Sequence, residues 1–394
     1  MTDTPTAQIS AQLDSVTVDA LREVGGVKWS TFPESIGAFI AEMDYGTAPA
    51  VSRALHDAVD RGLLGYLPKA VGERMSAACA GWQRTRYGWD VPAERVRPLP
   101  DVLAGAAAAI EHFSTPGSPI ILPTPAYMPF LTLPKILGRE IIEVPMAVED
   151  GRYVYDLDAL DRAFGAGGNL LVLCNPHNPI GRVLERDEML AVAEVVERHG
   201  GRVFSDEIHS PLVFPEHQHL PYASISEETA RHTVTSTSAS KAWNLPGMKC
   251  AQLILSNDAD AEVWSSVGPT AEHGAATLGV VANTAAYTSG GQWLDDVIGY
   301  LDGNRRLLGE LLADRIPEIG YTAPEGTYLT LLDCRALDLG DHPAQFFLRE
   351  AKVAMTDGAL CGEAARGMAR FNMAMPRPVL EEAVDQMAEA LGRR

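Results

Sequence analysis

The stretch Asn169-Leu-Leu-Val-Leu-Cys174-Asn175-Pro-His-Asn178-Pro-Ile-Gly181 decides the architecture. Its apolar run is continuous rather than alternating, the pattern of a strand buried on both faces. Two prolines and a glycine then fix an irregular backbone that can hold the Asn178 amide rigidly, although the same residues also suit a plain structural turn. A helix follows over 185–199, carrying Met189, Val192, Val195 and Val196 on one face and stopping at Gly200. The same order of strand, loop and helix recurs around PIIL (119–122), REIIEV (139–144), RVF (202–204), HTVTS (232–236) and AQLIL (251–255). This predicts an α/β fold, a three-layer domain whose largely parallel sheet is covered by helices on both faces. In such sheets ligands bind beyond the carboxyl ends of the strands.

Working outward, a helix is expected after Thr47 as N-cap, with Pro49 in its first turn and Val51, Leu55, Ala58 and Val59 as its apolar face. Further helices are expected over 73–87 and 102–113, the second alanine-rich and suited to close packing on a sheet. After about residue 285 the pattern changes. A long helix over 293–316 is expected to carry its apolar stripe at 293, 297, 300/301, 304, 307/308 and 311/312, and leads to strand candidates at 327–333, 352–356 and 369–375. Helices near 343–351 and 378–392 complete a small α+β domain. The expected division is an arm over 1–45 that joins the small domain, a large domain over 46–285 and a small domain over 286–394.

The 394 residues exceed what one core usually supports, and 46% apolar with 21% charged residues is a globular composition. A formal charge of −20 disfavours nucleic acid as a partner, although a local group such as Arg366, Arg370 and Arg377 can oppose the global field. Cys79, Cys174, Cys250, Cys334 and Cys361 lack CxxC spacing, so neither a disulfide framework nor a metal site is expected. The start MTDTPTAQIS lacks a basic region followed by an apolar core, and no 18-residue apolar run occurs. A soluble cytoplasmic protein without a membrane partner is the expectation.

Four segments carry chemistry. Asn178 lies after one strand; Asp206, in Ser205-Asp206-Glu207-Ile208-His209, lies after the next and could pair with a cationic nitrogen or simply cap a turn. In Thr237-Ser238-Ala239-Ser240-Lys241 the hydroxyls could cradle a phosphate beside a nucleophilic amine, where a solvated loop lysine is the plain alternative. Arg370 alternates with apolar neighbours on a strand, and its planar fork suits a carboxylate.

Together these four segments resemble the fold type I pyridoxal phosphate enzymes of aminotransferase class I and II: Asp206 follows Asn178 by 28 residues and Lys241 follows Asp206 by 35. The series KWSTFPES, AEMDYG, GLLGYLP, PTPAYMPF, CNPHNPIG, SDEIHSPLV, SKAWNLPGMKCAQ and PEGTYLTLLD is similar to the bacterial cystathionine β-lyase-like (MalY/PatB) carbon–sulfur lyase branch. The resemblance implies pyridoxal 5′-phosphate as cofactor, carried by Lys241 as a Schiff base, with Lys241 then acting as base at the substrate Cα. It implies Asp206 on the pyridine nitrogen, Asn178 on the ring oxygen, Tyr127 over the ring and His209 beside it. The backbone of Val102 and Leu103, with Ser238, Ser240 and Lys249, would hold the phosphate. Arg370 would take the substrate α-carboxylate beside Asn178 and Phe39, while Arg377 and His177 would shape the structure. Tyr66 would cross to the partner's cofactor in a homodimer with shared active sites.

Asp101 stands where many relatives have a small residue, and its side chain is expected to cap the following helix and face away from the phosphate. Phe39 and Leu360-Cys361 also depart from the usual pattern near the substrate. The resemblance favours β-elimination of L-cystathionine or an S-substituted cysteine to a thiol, pyruvate and ammonia. An aminotransferase acting on an amino acid and a 2-oxo acid is the alternative, and a regulatory protein-binding role is a third.

Overall fold

A computed structural model of the chain describes residues 5–394, so the part of the expected arm at residues 1–4 lies outside the described residues. The large domain is built on seven strands: β1 (Val96–Leu99), β2 (Ile120–Thr124), β3 (Ile141–Pro145), β4 (Leu170–Cys174), β5 (Arg202–Asp206), β6 (Thr233–Thr237) and β7 (Ala251–Leu255). Their order is β1-β7-β6-β5-β4-β2-β3. Only β7 runs antiparallel to its neighbours, so the sheet is mostly parallel.

The alternation of side chains along each strand shows why the runs are continuously apolar. Ile120, Leu122, Leu170 and Val172 pack on one face with the helices Val102–His112 and Asp258–Glu272. Ile121, Leu171 and Leu173 pack on the other with the helices Leu157–Gly165 and Arg186–Arg198. A sheet buried on both sides has no polar face to alternate with. The helix Val102–His112 sits so close that a Cβ on Gly105 would lie 2.7 Å from Ser236 Oγ, so this position tolerates only glycine without a shift.

The smaller α+β unit has a three-stranded antiparallel sheet of β8 (Leu329–Asp333), β9 (Thr356–Asp357) and β10 (Met368–Asn372), ordered β8-β10-β9. The long helix runs over Gly291–Arg315 and packs on the C-terminal helix Arg377–Gly392. Asn304 falls within its apolar stripe and is fully buried, its amide donating to the carbonyls of Met373 (2.9 Å) and Met375 (2.8 Å). Among the described residues no helix is long and apolar enough to cross a membrane.

Several local expectations change. The first large-domain helix spans Pro49–Asp60, and its N-cap is Ala48; Thr47 instead donates its hydroxyl to the Trp243 carbonyl at 2.6 Å. Val59 is largely exposed, so the buried face is carried by Val51 and Ala58. The helix expected from 73 begins at Lys69, directly after Pro68. The strand expected over 352–356 is split: Val353–Ala354 pairs with Ile36–Gly37, and Thr356–Asp357 turns to the small sheet. Residues 343–351 form one α-helical turn followed by a wider π-type turn. Arg366, Arg370 and Arg377 do not gather: Arg366 is tied to Asp341 and Glu363, Arg377 stacks 4.4 Å above the Tyr300 ring, and only Arg370 reaches the site described below.

Residues 38–46 are irregular apart from bends, yet well anchored. Lys28 and Asp44 form a buried ion pair at 2.8 Å, and Trp29 Nε1 donates to the other Asp44 oxygen at 2.8 Å. Burial still pushes the Asp44 carboxyl above its ordinary range, more than Lys28 pulls it down. Such a pair adds little net stability, but losing one partner strands the other charge. Asp44→Ala is therefore expected to cost about 3–5 kcal/mol, read from the denaturant midpoint.

Candidate active site

The carboxyl ends of β4, β5 and β6 lie side by side and deliver Asn178, Asp206 and Lys241 to one cavity of about 180 Å³. Tyr127, which follows β2, and the N-terminus of the helix Val102–His112 complete its wall. Gly181 lets the Asn178 loop turn back: its φ is +73°, and a Cβ there would meet Pro324 at 2.3 Å. A larger cavity of about 930 Å³ lies elsewhere and holds Tyr66 but none of these groups.

At one end Asp206 is buried with few partners. One oxygen accepts from the Ile208 N–H at 3.1 Å, and the Cys174 thiol lies 3.9 Å from the other. Burial pushes the carboxyl up to about 7, and among the described residues no cation pairs with it in contact. Lys241 Nζ donates to the Ala41 carbonyl at 3.0 Å. Burial, with the Arg370 charge adding to it, brings this amine down to about 8. His209 is held far below its ordinary value by burial and by the same two cations, so its ring is neutral.

Arg370 lies on β10, fully buried. Its Nη1 donates to Asn178 Oδ1 at 3.2 Å, and its Nη2 donates to the Phe39 carbonyl at 2.7 Å and to Thr356 Oγ1 at 3.1 Å. Its Nε has no hydrogen-bond partner among the described residues. At the opposite end Asp101 caps its helix by accepting from the Ala104 N–H at 2.9 Å. The other Asp101 oxygen holds Lys249 Nζ at 3.0 Å, an ion pair open to solvent. As at any helix start, the Val102 and Leu103 N–H groups have no intrahelical acceptor, which makes the terminus an anion site.

Of the residues singled out from sequence, Lys241, Asp206, Asn178, Tyr127, Val102, Leu103, Ser240, Lys249 and His209 line this one cavity, and Arg370 adjoins it through Asn178. Ser238 does not line it: its hydroxyl donates to the Cys250 carbonyl at 2.7 Å and accepts from the Ser240 N–H at 2.9 Å. Phe39 contributes its carbonyl rather than its ring, which packs edge-on against Phe32. Tyr66 is exposed, away from this cavity, beside His273. Cys361 is buried and its thiol is pushed up to about 11 by burial, while Leu360 beside it is exposed.

Sequence reasoning overlooked Ala41, Cys174, Tyr328 and Thr356. Ala41 acts through its carbonyl and carries no side-chain signal. Tyr328 read as a strand residue, yet its hydroxyl donates to that same Ala41 carbonyl at 3.0 Å.

The donor set fits pyridoxal phosphate: a buried carboxylate without a cation, an amine poised near neutral pH, an aromatic wall and a helix terminus for an anion, all on one cavity. The chain belongs to the aminotransferase class I and II family, whose model matches residues 39–387. Within it the chain belongs to the cystathionine β-lyase-like branch of pyridoxal phosphate enzymes. It is 37% identical to a cystathionine β-lyase of Corynebacterium glutamicum, across 95% of this chain and 99% of that one. The structure of a candidate pyridoxal-phosphate-dependent β-cystathionase from Corynebacterium diphtheriae superposes with a TM-score of 0.90 at 39% identity, covering 96% of this chain and 98% of that one. Cystalysin from Treponema denticola, whose crystal structure contains pyridoxal 5′-phosphate, gives a TM-score of 0.90 at 30% identity, with coverage of 96% and 98%.

Proposed function

We propose that this chain is a carbon–sulfur β-lyase that converts L-cystathionine or related S-substituted cysteines to a thiol, pyruvate and ammonia. The meeting of Lys241, Asp206 and Asn178 in one cavity with Arg370 adjoining it supports the cofactor chemistry, and the 37% identity to a cystathionine β-lyase over nearly the whole chain favours elimination as its outcome. Asp206 would hold the cofactor's ring nitrogen, Asn178 its ring oxygen, Tyr127 and His209 its ring. Val102, Leu103, Ser240 and Lys249 would hold its phosphate, with Ser238 supporting Ser240 from behind. When bound, pyridoxal phosphate supplies the electron sink that stabilises negative charge at the substrate Cα.

The chain's own groups do the rest. Lys241 would hold the cofactor through its Nζ and would be free to carry a proton once the substrate amine is bound. Its Nζ then takes the Cα proton, a task suited to an amine brought down to about 8. The same Nζ can hand a proton to the leaving sulfur. Arg370 offers a buried guanidinium with an unpartnered Nε to the substrate carboxylate, next to Asn178 and the Phe39 segment.

Tyr66 belongs to the same reading as a group lent to a second copy. It is exposed at the rim of the 930 Å³ cavity, where a two-fold partner would cover it and receive its hydroxyl. The functional halves are residues 46–285, which bind the cofactor, and 286–394 with the preceding arm, which closes over the substrate.

Purified protein given cystathionine and a panel of S-substituted cysteines is expected to form pyruvate and thiol without any 2-oxo acid. Strict dependence on a 2-oxo acid acceptor would replace this reading with the aminotransferase one.

A further inference from the structure

The irregular strap over residues 38–46 is held through its carbonyls by side chains from four distant parts of the chain. Phe39 O accepts from Arg370 and Thr356, and Ile40 O accepts from Asn372. Glu42 O accepts from Lys28 and Asn372, and Met43 O accepts from Asn244. In the middle, Ala41 O accepts from two donors at once, Lys241 Nζ at 3.0 Å and Tyr328 Oη at 3.0 Å.

Tyr328 is well placed to fix that carbonyl. It is completely buried, and its ring packs edge-on to His209 with centroids 6.0 Å apart. Its backbone is fixed as well: its carbonyl accepts from the Met373 N–H at 3.0 Å, and the preceding Thr327 N–H donates to Leu212 O at 2.6 Å. Thr327 itself has φ +61°, a left-handed conformation that is uncommon outside glycine and aims the next side chain.

We propose that Tyr328 is a positioning residue for Lys241: by holding the Ala41 carbonyl, it creates a fixed docking point for the lysine amine whenever that amine is not bonded to the cofactor. The inference rests on Lys241 being the proton carrier. A flexible four-carbon amine released into a cavity would otherwise sample many positions, and a misplacement of about 1 Å can cost about a hundredfold in rate. The backbone acceptor also favours the protonated amine, so it holds the lysine through the interval in which it carries the Cα proton.

The test is Tyr328→Phe, which removes one oxygen and leaves Ala41 O bonded to Lys241, so the fold is expected to persist. In the cofactor-free protein, Lys241 is acetylated with acetic anhydride over a pH series and quantified by peptide mass mapping. With the docking point loosened, the midpoint is expected to move to lower pH, and labelling at neutral pH to rise several-fold. In the cofactor-loaded variant kcat is expected to fall by about ten- to a hundredfold. KM is expected to change little, and the isotope effect with α-deuterated substrate to increase.

An unchanged labelling profile, or a change confined to KM, would overturn the proposal. So would a crystal structure of the cofactor-free wild type in which Nζ lies away from Ala41 O. The labelling does not depend on which reaction the enzyme catalyses, so its outcome is separable from that of the substrate panel.

Discussion

Lys241→Ala is expected to yield a folded protein that lacks the visible absorption of lysine-bound pyridoxal phosphate and eliminates thiol at least about a thousandfold more slowly. The size follows from the number of tasks that meet on one nitrogen: covalent attachment, proton removal at Cα and proton delivery to sulfur. Folding should survive because the amine makes a single hydrogen bond, to Ala41 O, and that carbonyl keeps Tyr328. Removing an amine whose protonation burial opposes even relieves a cost in the cofactor-free protein below about pH 8. The measurement is an absorption spectrum of the reconstituted variant together with pyruvate formation. Retention of both the band and the activity would refute the assignment.

Asp206→Asn is expected to have effects of opposite sign with and without cofactor. Burial raises this carboxyl from 3.8 to about 7, so the folded cofactor-free protein keeps a proton that the unfolded chain has released. The stability associated with that proton is fully present below about pH 4 and is lost as pH rises through about 7, an effect on the order of a few kcal/mol. Lys241 runs the other way: its lowered value contributes stability above its unfolded 10.5, lost as pH falls through about 8. At pH 8.5 the cofactor-free Asn variant should therefore melt higher than wild type. The loaded enzyme should show the reverse. There the carboxylate would have a cationic ring nitrogen as partner, and breaking a buried pair costs about 3–5 kcal/mol. Cofactor affinity should fall by about a hundred- to a thousandfold, measured by equilibrium dialysis. A variant that melts no higher than wild type when cofactor-free and binds cofactor normally would remove Asp206 from the site.

The parallel sheet was legible because strands buried on both faces must be apolar throughout, as Leu170–Cys174 is. Asn178, Asp206 and Lys241 were legible as a set because Asp206 ends its strand and the other two lie within four residues of the ends of theirs, and neighbouring strand ends bring such residues together. The capping half of the Asp101 expectation followed from local chemistry, since a carboxylate one residue before a helix can reach the N–H three residues on; the other half did not, because Asp101 lines the cavity and its second oxygen holds Lys249 there. Elsewhere the sequence was ambiguous. Thr47 is a good N-cap residue by type, but the tertiary partner Trp243 took its hydroxyl. Arg366, Arg370 and Arg377 lie close along the chain, yet strand, turn and helix send them to separate surroundings. Ala41 could not be read at all, because a backbone oxygen leaves no trace in residue type.

The strap over 38–46 carries a consequence for how this enzyme could diversify. Carbonyl oxygens are present whatever the side chain, so the bonds that hold its path make no demand on which residues occupy Phe39, Ile40 or Glu42. The demand falls on the donors, Arg370, Asn372, Lys28, Asn244 and Tyr328, which lie outside it. The side chains of Phe39, Ile40 and Glu42, unlike the buried Asp44 and Tyr45 further along, are thus free to drift while the course of the strap beside the cavity stays fixed, and new preferences for the group on sulfur can arise there without disturbing the lysine docked on Ala41 O.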